Sequence, residues 1–278
     1  MNAFKKTVAI AVMMVVSFSV FAFGPGNLPT VPNGWALKET YTNVRIYQKG
    51  TEESYVQVID VLYGGRIDMV QPGQQYGSWG SYPKFSRYSL DTMWNNVSNT
   101  AVSIVNGQFF NSGVNPTYLS FGIRDDWSIL TYGQDKTYNV TLPLKQLDFI
   151  PNFGVIIQQP STDASLNSAY GSHSIVGLDR KEDRSSGYKV GRMYLCAPIP
   201  ASPSKYLLIM NLRASTEANA NSLLDSWGCY DSRTVMMDGS GSSQLRTRGG
   251  TQMYGTSNPW TGSADKRTLP EVIAVYNY

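Results

Sequence analysis

The carboxylate with the strongest claim to chemistry is Asp238, in the run Asp238-Gly239-Ser240-Gly241-Ser242-Ser243 directly after the apolar Thr234-Val235-Met236-Met237. A strand end holds its last side chain rigidly, and glycines let a ligand approach backbone amides closely. The hydroxyls of Ser242 and Ser243 add donors suited to phosphate or sugar oxygens. A second stretch repeats the design, where apolar residues 101–105 break at Asn106-Gly107, followed by Gln108-Phe109-Phe110. Asn106 and Asp238 are thus expected as two polar groups fixed beside backbone N–H donors. Taken alone, a Gly/Ser run is more often a flexible loop, and a strand-ending Asn-Gly a hairpin turn.

Arg267 precedes the last apolar segment, where its planar fork suits a phosphate or carboxylate oxygen. It equally fits a solvated arginine beside Lys266. His173 is the only histidine and reads as a phosphate ligand, a general acid or a surface residue after Gly171-Ser172. One histidine excludes an HExxH pair and a Cys/His zinc set, and no GxSxG elbow occurs. Asp125-Asp126 reads as a turn in preference to a calcium loop, and the charged run Lys181 to Arg184 as a solvated loop. No metal and no cofactor is expected.

Elements that position these groups follow from periodicity. Residues 44–47, 55–61, 101–105, 207–212, 234–237 and 272–276 are rich in β-formers and read as strands. Ser89 precedes Leu90, Met93, Trp94 and Val97, a helical stripe with an N-cap in front. Ser215 or Thr216 caps a second helix bearing Ala220, Leu223, Leu224 and Trp227, which Gly228 ends. Residues 113–192 read as strand and turn. The expected fold class is α+β: one domain with a few helices packed on a mixed, twisted β-sheet.

The start of the chain reads as an export leader. Lys5 and Lys6 precede an uncharged apolar run over residues 8–23, and Val20-Phe21-Ala22 suits a signal peptidase. Cleavage after Ala22 is expected, with an uncleaved anchor as the alternative. The division is 1–22 signal peptide, 23–54 N-terminal arm and first strand, and 55–278 main domain. Without Lys5 and Lys6, the net charge of +3 becomes 21 basic against 20 acidic residues, no footprint for nucleic acid. No later stretch is long and apolar enough to span a membrane. The expected location is periplasmic or secreted. In such an oxidising compartment Cys196 and Cys229 can pair, closing a loop around the second helix; two separate buried thiols are the alternative.

Four stretches in order resemble the phosphodiester glycosidase family: residues 105–110, residues 223–229, residues 237–243, and Lys266-Arg267-Thr268-Leu269-Pro270-Glu271 with the strand behind it. The resemblance spans roughly residues 55 to 278. It implies an exported hydrolase that frees a sugar linked through its anomeric oxygen to phosphate. Asp238 would be acid/base or nucleophile, and Asn106 would orient substrate or water. Gly107, Gly239, Gly241, Ser242 and Ser243 would cradle oxygens, with Arg267 and His173 on the phosphate side. Asp60 and Asp179 lie in matched stretches as further carboxylates. The chain departs from the family at Gln108 and Ser240, each in place of a glycine, and at His173 in place of an arginine. Two other readings stand beside this one: an inactive glycan-binding module of the same fold, and a secreted effector acting on an envelope glycan.

Overall fold

The computed structural model describes residues 29–75, 82–97, 99–134, 140–182, 184–185, 187–198 and 202–278. The leader expected over residues 1–22 lies outside them. The chain forms a single domain, mostly β. This corrects the α+β expectation, and the sheets are not mixed: the strand pairings are antiparallel throughout the two main sheets.

The larger sheet has eleven strands. Its central run is Val44–Lys49, Ser54–Asp60, Tyr206–Ser215, Val190–Cys196, Thr234–Met237, His173–Asp179 and Lys145–Ile150, each paired with the next. The smaller sheet has five, ordered Gln252–Tyr254, Gln244–Thr247, Ala101–Asn106, Val272–Asn277 and Gly65–Val70. Apolar side chains from both sheets, among them Ile59, Leu195, Ile209, Val235, Ile104, Leu245 and Ile273, form one shared core between them.

The outer face of the larger sheet is covered by the helix Glu217–Ser226, whose Ala220, Leu223 and Leu224 join Val58, Tyr194 and Leu208 in a second core. Ser54–Asp60, Val190–Cys196 and most of Tyr206–Ser215 are therefore buried on both faces. Strands covered on both sides read as unbroken apolar runs, the usual mark of a parallel sheet. Here the cover is a second sheet and a helix, and the same signal accompanies antiparallel pairing. Among the described residues the α-helices, Leu90–Asn96, Asp163–Asn167 and Glu217–Ser226, are short.

Trp227, following the last helix, meets the rings of Trp35 at 5.6 Å and Tyr47 at 5.4 Å. Trp35–Thr40 and Val44–Lys49 pair together and extend the larger sheet, so the segment 23–54, read as an arm and one strand, supplies two strands. Cys196 and Cys229 are joined in a disulfide with a sequence separation of 33. It ties the end of Val190–Cys196 to the chain leaving the helix. In the loop-entropy account, a closure of this length contributes about 3–4 kcal/mol by restricting the unfolded chain. Cys196→Ser with Cys229→Ser should lower the urea-unfolding free energy by about that amount, and an unchanged midpoint would remove the disulfide from the stability account. No helix of the described residues is long and apolar enough to cross a membrane.

Candidate active site

The two strand ends picked out by sequence meet where the sheets adjoin. Asn106 ends its strand in the smaller sheet and Asp238 follows Thr234–Met237 at the centre of the larger one. Asn106 Nδ2 donates to the Asp238 carbonyl at 2.7 Å, and its Oδ1 accepts from Gln244 N at 3.0 Å. The Asp238 N–H in turn donates to the Gly107 carbonyl at 3.3 Å. Asn106 is 1% exposed and both ends of its amide serve the backbone. It braces the Asp238 turn and does not reach toward a ligand.

Asp238 lines a pocket of about 200 Å³ with Gly239, Ser240, Met236, Met237, Phe109, Gly191 and Arg267. Burial pushes its carboxyl up to about 7, outweighing the Ser242 hydroxyl, the Arg267 charge and the Gly239 N–H that all favour the ionised form. Arg267 stands 3.3 Å from Asp265 Oδ2 and 3.5 Å from Ser242 Oγ. A guanidinium has five N–H donors, so its fork has capacity beyond these two long contacts. Arg192, which also lines the pocket, directs Nε, Nη1 and Nη2 to the carbonyls of Ser215, Arg184 and Ser185 at 2.8, 3.1 and 3.0 Å. That arginine shapes the wall. Ser240 holds a left-handed φ of 55°, a conformation that favours the glycine usual in the resembled family.

A second buried carboxyl, Glu271, carried no role in the sequence reading. It is 1% exposed, accepts from Gln108 N at 2.8 Å, and burial pushes it up to about 7. Gly107 lies between the two residues: its carbonyl accepts from the Asp238 backbone N–H, and a Cβ on it would lie 1.8 Å from Glu271 Oε2. A side chain there requires the Glu271 carboxyl to move. Gly107→Ala should therefore displace Glu271 and destabilise the fold by about 1–3 kcal/mol. A thermal melt checks this, and a variant as stable as the parent would show that the loop yields freely. Glu271 does not line the pocket, so it positions the loop behind Asp238.

The remaining candidates divide. Ser242 bonds the Asp238 carboxyl and receives Arg267. Gly239 and Gly241 are closely packed: a Cβ would come within 2.6 Å of the Gly191 carbonyl and 2.1 Å of Asp265 Oδ2 respectively. Ser243 is fully buried and donates to the Arg192 carbonyl at 2.9 Å, away from the pocket. His173 is outside the pocket lining and sits 2.7 Å from Asp125 Oδ1. Asp60 closes its own turn by accepting from Tyr63 N at 3.3 Å, and Asp179 pairs with the buried Lys145 at 2.8 Å. Glu182, in the run read as solvated, is 2% exposed and accepts from Thr141 N and Leu142 N. A second hollow of about 310 Å³ beside Phe121 and Leu166 has one acid, Asp163, which is exposed at a helix start.

No family model and no curated protein matches the sequence. Solved structures do share the fold. The catalytic domain of zebrafish N-acetylglucosamine-1-phosphodiester alpha-N-acetylglucosaminidase, auto-inhibited by its pro-peptide, superposes with a TM-score of 0.55 at 12% identity, over 84% of this chain and 78% of that one. A hypothetical protein from Synechocystis gives 0.50 at 8% identity over 88% of this chain, which spans only 61% of that protein. At these identities the likeness is one of architecture alone: this chain shares the fold of that zebrafish catalytic domain.

Proposed function

We propose that the protein is an exported hydrolase that releases a sugar from a glycosyl phosphodiester or a related envelope glycan. The observation that carries this reading is Asp238, a buried carboxyl pushed up to about 7 in the same pocket as an arginine. Near neutral pH such a group exists in both forms, so it can give a proton to a leaving oxygen and take one from water. Arg267 would hold a phosphate oxygen. Glycosyl transfer to water commonly uses two carboxylates, but phosphate leaves as a stable anion and one well-placed acid/base group suffices. Tyr188 lies between the pocket-lining Ser185 and Val190, and its exposed ring meets that of Trp260 at 6.1 Å. Such amphipathic faces suit a sugar ring. The disulfide and the apolar leader support export.

A second reading, a glycan-binding module without turnover, is favoured by His173, which occupies the family's arginine position but faces Asp125. A panel of glycosyl phosphodiesters separates the two, with free sugar followed by NMR. Turnover supports the hydrolase, and saturable binding with no product supports the module. Arg267→Met should lower kcat/KM about 10- to 100-fold, the worth of one hydrogen bond to a charged group. An unaltered kcat/KM would take Arg267 out of the site.

A further inference from the structure

The geometry points to a site separate from the Asp238 pocket: we propose that Asp68, Asp125 and His173 bind a divalent transition metal of the zinc or manganese class. One ligand atom from each of the three lies within 4.8 Å of the others, and all three side chains are partly buried, so solvent ions can reach them. None of the three lines the pocket that contains Asp238. Ligands held about 2.1 Å from a shared tetrahedral ion stand roughly 3–4 Å apart. The cluster needs only small side-chain adjustments to reach that spacing.

Three strands build the arrangement. Ile123–Asp125 runs antiparallel to His173–Asp179 with Ile123 opposite Ile175 and Arg124 opposite Ser174, which brings Asp125 beside His173. Gly65–Val70, from the smaller sheet, is fixed against them where Met69 N donates to Asp125 Oδ1 at 3.4 Å. The His173 ring also packs at 6.0 Å from Phe149. The ligands therefore sit on paired strands, and an ion there would pin the edge of one sheet to the other.

The groups around this cluster are also short of positive partners. Glu271, buried and with Oε1 lacking a hydrogen-bond partner, lies close enough for its charge to interact with that of Asp125. Three carboxyls thus share one neighbourhood. Among the described residues, the His173 imidazole is the one ion-pair partner that Asp68, Asp125 or Glu271 has. A divalent cation supplies the missing positive charge. On binding it displaces the proton held between Asp125 Oδ1 and His173 Nδ1, which are 2.7 Å apart, and that proton leaves to solvent. Two carboxylate oxygens with one imidazole nitrogen suit zinc or manganese. They are too few oxygens for calcium, and magnesium rarely takes imidazole.

The test uses tag-free, chelator-stripped full-length protein titrated calorimetrically with Zn²⁺ and, separately, Mn²⁺. The expected result is one ion per chain for at least one metal. His173→Gln, Asp125→Asn and Asp68→Asn should each weaken affinity about tenfold or more, with circular dichroism confirming which variants fold. Any one folded variant suffices for the comparison. Absence of saturable binding of either metal by the parent protein overturns the proposal. So does binding that every folded variant retains in full.

Discussion

Replacing Asp238 by Asn should abolish turnover and, above neutral pH, make the protein harder to unfold. The activity loss follows from chemistry: an amide of nearly the same shape can neither give nor take the proton, and a positioned acid/base group is worth about 10²–10⁴ in rate. The stability gain follows from linkage. In the unfolded chain an aspartate ionises near pH 3.9, while burial holds the folded Asp238 up to about 7. Between those values the unfolded chain has released its proton and the folded chain keeps it. Wild-type stability therefore falls as pH rises through that window and stays low above it. Asn has no charge to bury. The variant should match the parent well below about pH 4, where Asp238 of the parent is protonated in the folded and the unfolded chain alike, and exceed it by a few kcal/mol at pH 8. Urea unfolding at the two pH values, with kcat on a confirmed substrate, measures both effects. A variant that keeps near-wild-type kcat would move catalysis elsewhere, and one less stable than its parent at pH 8 would make the Asp238 carboxylate a structural anchor.

Lys145→Met should cost about 3–5 kcal/mol, the usual penalty for leaving one partner of a buried ion pair alone. Lys145 has no exposed surface, and its ammonium reaches Asp179 Oδ2 at 2.8 Å, Asp231 Oδ1 at 3.1 Å and the Asp231 carbonyl. Asp179 is itself 4% exposed. Removing the lysine strands that carboxylate in a dry part of the sheet. Adding Asp179→Asn to Lys145→Met should restore much of the loss, because the uncompensated charge goes with it. Denaturant midpoints of the two single variants and the double form the cycle. Additive losses would show that the two residues do not share one interaction.

Both predictions concern groups whose importance sequence reading judged unevenly. Local features were legible because their signals are local. Ser89 accepts from Thr92 N at 3.1 Å and Thr216 from Asn219 N at 3.2 Å, both caps readable three residues ahead. Gly228 ends its helix with a φ of 73°, as a glycine after an apolar stripe suggests. Asp238 and the Asn106-Gly107 break were visible for the same reason: an apolar strand stops at a polar, glycine-containing turn.

Features that depend on distant partners left no such trace. Glu271 meets Gln108 across 163 residues and Lys145 meets Asp231 across 86. Asp68 joins Asp125 and His173 only because two sheets adjoin. Glu182 looks solvated among charged neighbours, yet it closes two backbone N–H groups at 2.9 and 2.8 Å. Neighbouring Ser242 and Ser243 were equivalent in sequence, but one turns toward Asp238 and the other into the sheet. The sheet itself was misjudged because burial on both faces erases the alternation that marks an antiparallel strand.

The most direct test of the proposed chemistry is hydrolysis of a glycosyl phosphodiester in ¹⁸O-labelled water, with the products resolved by mass spectrometry. If Asp238 serves attack of water at the anomeric carbon and Arg267 holds a departing phosphate, the label appears in the C1 hydroxyl of the freed sugar and the phosphate stays unlabelled. Label in the phosphate would mean that water attacks phosphorus, and would contradict the account at its centre.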